Sequence, residues 1–305
     1  MSVAICTRDR ASLLDGCLAS VVPQLSECDS ELLVVDNASS DATSEVISAW
    51  EGSSPHIRGL SCHEVGLSRA RNLAIEHARG EILAFLDDDT LASRGWLTAI
   101  AAPFSEPSVG GVAGRARLLW PAGEPGWLSP AVDPWFSAFD LGEAARVLAE
   151  GEVPFGVNMA VRARLAREVG GFDVRLGRVG RSLLSGEDGA FFERIRGCGV
   201  TLVYEPAADV RHVVSSDRAR WTWLARRVWA QGRSDAIYDA VSGRSGRSGD
   251  LRTARRMLLG ALARDWRGTA LRIRSAQRLR AAISVESLSR LQRVAHATEI
   301  LRRGS

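Results

Sequence analysis

The sequence predicts an α/β fold built on a doubly wound, mostly parallel sheet, followed by a helical extension at the C-terminus. Over the first 90 residues, continuous apolar runs alternate with segments of helical periodicity, which is the order of a parallel sheet with right-handed crossovers. The composition agrees, since 46% of the 305 residues are hydrophobic and 25% are charged. Those proportions are typical of a globular chain with a sizeable core.

The expected elements follow one another in a regular order, because continuous apolar runs predict buried strands and apolar residues at helical spacing predict helices. The strands are expected at 2–5, 31–36, 81–86, 153–161, 200–206 and 208–214. The helices are expected at 11–22, 42–50, 66–80, 186–199 and 219–240. We expect Asp41 to cap the second helix and Gly80 to end the third.

Cysteine usage and hydropathy exclude several classes of protein. The five cysteines are odd in number and lack CxxC spacing, which favours reduced thiols over a disulfide framework or a zinc site. No apolar run approaches the roughly 20 residues of a membrane span. The N-terminus shows no basic segment followed by an apolar one, so no secretory signal is visible. The sequence therefore predicts a cytoplasmic protein.

The basic charge is concentrated in the C-terminal part of the chain. All 39 basic residues are arginine, and residues 251–305 hold 13 of them against three acids. The remaining 250 residues carry more acids than arginines. Such segregation indicates a tail with its own binding or packing role.

Acidic side chains follow two of the predicted strands. Asp36 ends one apolar run, and Asp87, Asp88 and Asp89 end another. Ligands of open α/β sheets bind at the carboxyl ends of parallel strands, so these acids are expected to face one crevice. In an extended segment Asp87 and Asp89 would point the same way and Asp88 away. Paired carboxylates suit Mg²⁺ or Mn²⁺, although a solvated acidic turn would give the same pattern.

Six stretches, in order, resemble the motifs of family 2 glycosyltransferases. They read "VAICTRDRASLLDGCLASV", "ELLVVDNASSDAT", "GLSRARNLAI", "GEILAFLDDDT", "GVNMAVRARLAREVGGFD" and "LLSGEDGAFFERIRGCGVTLVYEP". The resemblance covers about the first 215 residues and leaves residues 120–150 and the C-terminal 60 residues outside it. It implies a Rossmann-like GT-A fold and sugar transfer from a nucleoside-diphosphate sugar.

The resemblance assigns the first motifs to the donor nucleotide. Thr7, Arg8 and Asp9 match the loop after the first strand, and Asp36 matches the end of the second; both positions hold the base in this family. The resemblance implies that a carboxylate there would accept the N3–H of uracil or thymine, and that Arg71 in the "ARN" stretch would donate to a ring carbonyl. The alternatives are a turn-capping role for Asp36 and a solvated helix face for Arg71.

The acidic run matches the DxD motif of the family. Asp87 and Asp89 would form the DxD pair, with one carboxylate toward the ribose and one on a divalent cation, Mn²⁺ or Mg²⁺. Asp88 is assigned to the donor site. His212 lies where some GT-A enzymes place a further metal ligand, so the expected metal set is Asp89, Asp87 and His212. A packed or exposed strand histidine is the alternative.

The "GED" motif supplies the expected catalytic residues. In the family its second acid is the general base, which corresponds to Asp188, while Glu187 supports the site. A base near the anomeric carbon is needed because the attacking hydroxyl must lose a proton. Without the resemblance, both acids read as first-turn residues that interact favourably with the helix dipole.

The sequence thus predicts a metal-dependent glycosyltransferase that acts by single displacement with inversion. Its partners would be a UDP-, dTDP- or GDP-sugar and a hydroxyl acceptor on a glycan, a lipid-linked sugar or a small molecule. Three other classes share some of these features: a nucleotidyltransferase, which usually has a glycine-rich loop near the first strand; an arginine-rich nucleic-acid-binding protein; and a sugar-nucleotide-binding pseudoenzyme. We expect no nucleic-acid partner, because the main body is acidic.

The expected domains are a catalytic domain at 1–241, a linker at 242–249 and an arginine-rich amphipathic tail at 250–305. The catalytic domain would comprise a nucleotide-binding half, 1–115, and an acceptor half, 116–241. The tail would bind the inner face of an anionic membrane, pack on the catalytic domain or form a dimer seam. Two apolar stripes motivate these alternatives. They consist of Leu258, Leu262 and Trp266, and of Ile283, Leu288, Leu291, Val294 and Ile300.

The sequence gives less information about the acceptor site. Trp120, Trp127, Trp135 and Phe136 lie in a loop rich in proline and glycine, where they either stack on an acceptor or fill a local core. Trp221, Trp223 and Trp229 are at helical spacing and are expected to pack.

Overall fold

A computed structural model of the chain describes residues 1–180, 182–242 and 285–303. Within these residues, nine strands form one sheet. They are β1 (Ser2–Thr7), β2 (Glu31–Asp36), β3 (Ile57–Ser61), β4 (Ile82–Asp87), β5 (Thr90–Ala92), β6 (Val109–Leu119), β7 (Arg146–Val147), β8 (Asn158–Arg162) and β9 (Thr201–Val213). Their order is β3-β2-β1-β4-β8-β6-β9-β5, and β7 pairs with β9. The expected α/β class is confirmed.

Eight helices accompany the sheet in the described residues. They are α1 (Ala11–Leu25), α2 (Thr43–Ser53), α3 (Leu67–His77), α4 (Trp96–Ala101), α5 (Ala163–Glu168), α6 (Glu187–Gly197), α7 (Trp221–Val241) and α8 (Val285–Arg303). Asp41 precedes the N-cap residue of α2, which is Ala42, so it is not the N-cap itself, but its carboxylate accepts the N–H of Thr43, the first residue of the helix. It also accepts the N–H of Ala11 at the start of α1.

The four strands β3, β2, β1 and β4 are mutually parallel, and three of them, β1, β2 and β4, are the strands that the apolar runs predict. The central residues of β1, β2 and β4 are buried, which explains why their sequences are continuously apolar. Thr7 pairs with Asp36, and Cys6 with Asp87. The acidic strand ends therefore lie at one edge of the sheet, as predicted.

Beyond β4 the sheet is mixed. Strand β8 runs antiparallel to both β4 and β6, and β6 and β9 are parallel. Because β8 enters beside the end of β4, the loop before it reaches the acidic edge, where the N–H of Asp87 donates to the carbonyl of Val157 at 3.3 Å. This antiparallel insertion brings a distant loop to the end of β4.

Two local predictions were wrong. Helix α3 ends at His77, and Gly80 lies beyond it, where a side chain would collide with the backbone of Met1 and Ser2. Close backbone approach, not helix capping, thus explains this glycine. The two strands expected at 200–206 and 208–214 are one continuous strand, β9, with a register shift opposite Gly114 and Arg115.

Strand β3 lies at one edge of the described sheet. Its Gly59 N–H, which faces away from β2, donates to a carboxylate oxygen of Glu51 on α2 at 2.6 Å. A side chain at Gly59 would collide with Ile47 and Glu51. The glycine therefore lets α2 approach closely enough to satisfy an edge-strand donor.

The described residues divide into two compact units. The first comprises Met1–Leu119, Ser137–Arg175 and Glu187–Val213, and it contains the whole sheet. The second comprises Trp120–Phe136, Leu176–Gly186 and the described part of Val214–Ser305. The domain boundary expected at 241 stays a prediction, because residues 243–284, including most of the linker and the first apolar stripe of the tail, lie outside the described residues.

Most of the loop tryptophans of the second unit pack into a local core. Phe136 stacks on Trp223 and meets Trp120 edge to face, at centroid distances of 5.1 and 5.2 Å. The indole of Trp127 donates to the carbonyl of Ala219. These contacts favour the packing alternative over a stacking surface for the acceptor. Trp221 is 46% exposed, so the expectation that it packs was wrong.

Helices α7 and α8 pack together within the second unit. Three side-chain hydrogen bonds join the two helices: Arg233 to Glu299 at 2.9 Å, Gln292 to Asp235 at 2.7 Å, and His296 to Asp239 at 3.0 Å. The two backbones come close at Gly232, where a side chain would collide with the carbonyl of Gln292. This part of the tail therefore packs on α7. None of the described helices is both long and apolar enough to cross a membrane.

Glu299 anchors this helix pair, and its carboxylate should stabilise the fold in a pH-dependent way. It is 2% exposed and bonds Arg233, Arg302 and Arg303. Although burial raises its pKa, these arginines lower it to about 2. We expect Glu299→Gln to reduce the free energy of unfolding at pH 7 by about 1–2 kcal/mol, because the arginines are partly exposed.

The pH profile of urea unfolding tests this prediction. A lowered carboxyl pKa contributes stability above the unfolded pKa of about 4.3, and that contribution is lost as pH falls toward about 2. The gap between wild type and Glu299→Gln should therefore narrow below about pH 4.3. The control is Glu168→Gln. Glu168 is an exposed acid that pairs with Arg164, four residues earlier on the same helix. An equal loss in both variants would contradict the prediction.

Candidate active site

The acidic run changes direction at the end of β4. The strand ends at Asp87, and residues 88 and 89 form a turn. Asp87 is half-buried, whereas Asp88 and Asp89 are buried and approach the same guanidinium. The expectation that Asp87 and Asp89 share one side, with Asp88 pointing away, was wrong because side-chain alternation holds only within the strand.

Arg10 joins the two buried acids. Its Nη1 donates to Asp88 Oδ1 at 2.6 Å and to Asp89 Oδ2 at 2.8 Å. Arg10 immediately precedes α1, and its side chain is 28% exposed. Arg10 was not among the predicted site residues. Its position three residues after the end of β1, at the edge of the sheet that carries the acids, was the available signal.

The ionised form of Asp88 is disfavoured by its burial. Burial raises its pKa, the Arg10 guanidinium opposes that rise, and the negative charge of Asp89 adds to it. The net effect is a pKa above the ordinary value for aspartate. The two carboxylates therefore depend on positive charge nearby to remain ionised together.

His212 also contacts Asp89. Its Nε2 lies 3.2 Å from Asp89 Oδ1, and both side chains are buried. The pairing of β5 with β9 places Thr90 opposite His212, and the N–H of Val213 donates to the Asp89 carbonyl. His212 is thus buried against Asp89, and its role as a metal ligand stays a prediction.

The expected three-ligand metal set is not assembled in full. Asp89 and His212 meet, but Asp87 turns to Arg71. Among the residues that the structure describes, no group of three or more histidine, cysteine or acidic side chains is arranged to hold an ion. A carboxylate and an imidazole are nevertheless ligands that Mn²⁺ accepts, and such ions often take their remaining ligands from substrate phosphates and water.

Arg71 connects the end of β4 with the start of α6. It is buried, with a side chain only 3% exposed, and it bonds Asp87 at 3.3 Å and Glu187 at 3.0 Å. Its guanidinium also lies 5.3 Å from the centre of the Phe172 ring. The structure thus gives Arg71 two carboxylate partners, a role that the sequence analysis did not anticipate.

Asp188 is oriented by backbone donors. Its Oδ2 accepts the N–H of Gly156 at 2.9 Å, and its Oδ1 accepts the N–H of Gly189 at 2.8 Å. Gly156 has no room for a side chain, because one would collide with the guanidinium of Arg71. Gly156 therefore lies between Asp188 and Arg71, and it was not among the predicted site residues either.

The loop after β1 is tied to the loop after β2. Asp9 accepts hydrogen bonds from the N–H and hydroxyl of Ser40, and its own N–H donates to the Ser39 hydroxyl. Asp9 has a φ of 51° and Ala38 a φ of 56°, both in the left-handed region. Non-glycine residues in this region are often found at ligand sites. Asp9 acts here as a clamp between two loops.

The remaining predicted donor residues lie around this clamp. Thr7 is buried at the end of β1, and Asp36 Oδ1 accepts the N–H of Ser39 at 2.9 Å. Asp36 thus makes the turn contact that the sequence left open, and its side chain is half-buried. Arg8 lies beside Asp9, at 3.4 Å between Nε and Oδ2. All the predicted site residues belong to the first compact unit.

Comparison with known proteins gives an independent view of the chain. Residues 2–141 match the family model described as glycosyl transferase family 2. The chain is 28% identical over 241 residues to succinoglycan biosynthesis protein ExoM of Rhizobium meliloti, covering 77% of this chain and 73% of that protein. It is 24% identical over 245 residues to a glucosyl-dolichyl phosphate glucuronosyltransferase of Haloferax volcanii, covering 79% and 78%.

Solved structures share the fold. A mannosyltransferase of Pyrobaculum calidifontis, in complex with GDP-Man and Mn²⁺, superposes with a TM-score of 0.64 at 21% identity, covering 100% of this chain and 87% of that one. GalNAc-T7 with UDP, GalNAc and Mn²⁺ gives a TM-score of 0.51 at 16% identity, covering 77% and 50%. These likenesses confirm the GT-A-like fold expected from the sequence.

Arg71→Met tests whether the buried guanidinium holds the site together. The variant keeps most of the side-chain volume but leaves Asp87 and Glu187 without their cation. We expect the free energy of unfolding to fall by about 3 kcal/mol, as is typical when one partner of a buried ion pair is removed. Urea unfolding measures the loss.

The control for this variant lies on the same helix. Arg69 pairs with Glu64, but both side chains are exposed, so Arg69→Met should change stability by less than about 0.5 kcal/mol. A double-mutant cycle with Glu187→Gln should give a coupling energy with Arg71 of at least about 1 kcal/mol. Independent effects of Arg71 and Glu187 would contradict the bridging role.

Proposed function

Because the chain is a glycosyltransferase whose residues 2–141 form a family 2 domain, we propose that it transfers a sugar from a nucleoside-diphosphate donor to a hydroxyl acceptor by single displacement with inversion. One observation carries the proposal. Arg71 ties Asp87, at the donor edge of the sheet, to Glu187, the neighbour of the expected base Asp188. The donor-side acid and the base are thus held in one connected arrangement.

In this mechanism Asp188 is the general base. Its carboxylate accepts the proton of the acceptor hydroxyl as the new bond forms between that oxygen and the anomeric carbon. The bond from the anomeric carbon to the diphosphate breaks in the same step, and the diphosphate leaves with the electron pair. The N–H groups of Gly156 and Gly189 fix the orientation of the carboxylate, so little reorganisation is needed.

We propose that Asp89 and His212 hold a divalent cation, Mn²⁺ or Mg²⁺. Their adjacent oxygen and nitrogen atoms fit such an ion as part of a site that the donor phosphates complete. When bound, the ion would offset the negative charge that develops on the leaving diphosphate. Both structural neighbours named above are complexes with Mn²⁺, which supports a cation of this type.

The donor nucleotide would lie over Thr7, Arg8, Asp9 and Asp36. We propose UDP, dTDP or GDP as its nucleotide, because Asp36 and the loop clamp at Asp9 offer hydrogen-bond acceptors for a base. The neighbours' GDP-Man and UDP support a nucleotide of this range. For the acceptor, the Haloferax relative is named for a dolichyl phosphate-linked sugar, so we propose a lipid-linked hydroxyl acceptor.

Nucleoside diphosphate release across a panel of sugar nucleotides tests the proposed function. We expect turnover with one donor class, its loss on chelation, and its return with Mn²⁺ or Mg²⁺. Product anomers read by NMR report inversion. Full activity in the chelated enzyme would contradict the metal role, and retention of configuration would contradict single displacement.

Asp188→Asn should separate binding from chemistry. The amide keeps the size of the side chain but cannot take a proton, so we expect transfer to fall about 100- to 10,000-fold with donor affinity unchanged. The matched control is Glu45→Gln, an exposed acid in the first turn of α2 that should leave the rate unaltered. A parallel fall of donor affinity and rate would instead assign Asp188 to the donor site.

We also propose that the arginine-rich tail, residues 250–305, brings the enzyme to the inner face of an anionic membrane. The exposed Trp221 adds an aromatic side chain suited to such an interface. Within the tail, α8 packs on α7, so the membrane contact would come from the earlier part. The tail arginines to be replaced are Arg255, Arg256, Arg264 and Arg267.

Replacing these four arginines with glutamine in the full chain tests the tail. Each arginine near an anionic surface contributes on the order of 1 kcal/mol, so sedimentation with phosphatidylserine vesicles at low salt should drop sharply. Neutral phosphatidylcholine vesicles are the control. Equal sedimentation of both proteins would argue against the membrane role, and a changed oligomer mass would favour a dimer seam.

A further inference from the structure

We propose that Arg10 couples cation binding to donor binding. In the absence of donor it weakens the binding of a divalent cation, and when donor and cation are both bound it contacts the donor diphosphate. This inference rests on the proposed metal dependence. It assigns a positioning role to a residue outside the motif acids, and it concerns the order in which the site is filled.

The first observation is that both carboxylate oxygens of Asp89 have partners. Arg10 Nη1 lies 2.8 Å from Oδ2, and His212 Nε2 lies 3.2 Å from Oδ1. A cation that takes Asp89 as ligand must therefore share this carboxylate with a guanidinium. Two positive charges on one buried carboxylate repel each other strongly, because the surroundings screen them little.

The second observation is that Arg10 has unused donors. Only Nη1 contacts Asp88 and Asp89; among the described residues, no hydrogen bond or ion pair involves Nε or Nη2 of this arginine. The side chain is also 28% exposed, in contrast to the acids it contacts. Arginine presents its N–H groups in a fork that matches phosphate oxygens.

Together these observations give one guanidinium two functions. Without donor, Arg10 neutralises part of the charge of Asp88 and Asp89 and disfavours a second cation. With donor, the negative charge of the diphosphate attracts both Arg10 and the divalent ion, so each ligand strengthens the binding of the other. Such reciprocity is a coupling free energy between the two binding events.

Direct Mn²⁺ binding, followed by the EPR signal of free Mn²⁺, tests the inference without relying on turnover. In the absence of nucleotide, Arg10→Met should bind Mn²⁺ about tenfold or more tightly than wild type, because the repulsive charge is removed. Adding UDP, GDP or dTDP should strengthen Mn²⁺ binding in wild type much more than in Arg10→Met. Arg10→Lys, which keeps the charge, should bind Mn²⁺ alone as weakly as wild type.

The control is Arg58→Met. Arg58 is similarly half-buried, with a side chain that is 27% exposed. It pairs with Glu31, which begins β2 and so lies at the opposite edge of the sheet from the acidic strand ends. Its loss should therefore not alter Mn²⁺ binding. Arg10→Gln provides a second uncharged variant if Arg10→Met does not fold, with folding checked by circular dichroism. The same tightening is expected of it.

Two outcomes would overturn the inference in distinguishable ways. If wild type binds Mn²⁺ with nucleotide but a folded, uncharged Arg10 variant binds Mn²⁺ alone no more tightly than wild type, the coupling role of Arg10 is wrong and the metal site stands. If no protein binds Mn²⁺ even with every nucleotide, the proposed metal dependence fails and the inference fails with it.

Discussion

The guanidinium of Arg71 lies buried between two carboxylates that are a hundred residues apart in the sequence. Asp87 ends β4, and Glu187 begins α6. Because a buried charge without partners is costly, the first turn of α6 is held beside the end of β4, and Asp188 is held with it. Gly156 completes the arrangement, since only a residue without a side chain lets its loop approach the guanidinium and still donate to Asp188. The positive charge of Arg71 therefore organises the part of the site that contains Asp188.

Strands β1, β2 and β4 could be predicted because they are buried on both faces and therefore read as continuous apolar runs. The rest was harder for identifiable reasons. Strand β3 is short and contains Arg58 and Gly59, so it lacks an apolar signature. Strand β9 contains Pro206 next to the point where the sequence pattern predicts two separate strands. The strand tolerates this proline because it lies in the segment where the register with β6 shifts, and no regular ladder hydrogen bond is needed there.

The residue types of the site were also predictable, but their partners were not. Strand ends at one edge, together with family-like motifs, indicated Asp36, Asp87, Asp89 and Asp188. The alternation rule then misplaced Asp88, because it was applied beyond the last strand residue. Arg10 escaped notice because a single arginine in a loop carries no periodic signal, and its partners are 78 and 79 residues away. Contacts over such separations depend on topology, which local patterns do not encode.

The hydrogen bond from Gly59 to Glu51 has a consequence for self-association. A second copy that extended the sheet across β3 would have to displace this carboxylate and bring its own backbone past a negative charge. Continuous intermolecular sheets, which are the usual start of aggregation, are therefore disfavoured at this edge. The catalytic sheet stays finite there because one helix side chain occupies the place of a neighbouring strand.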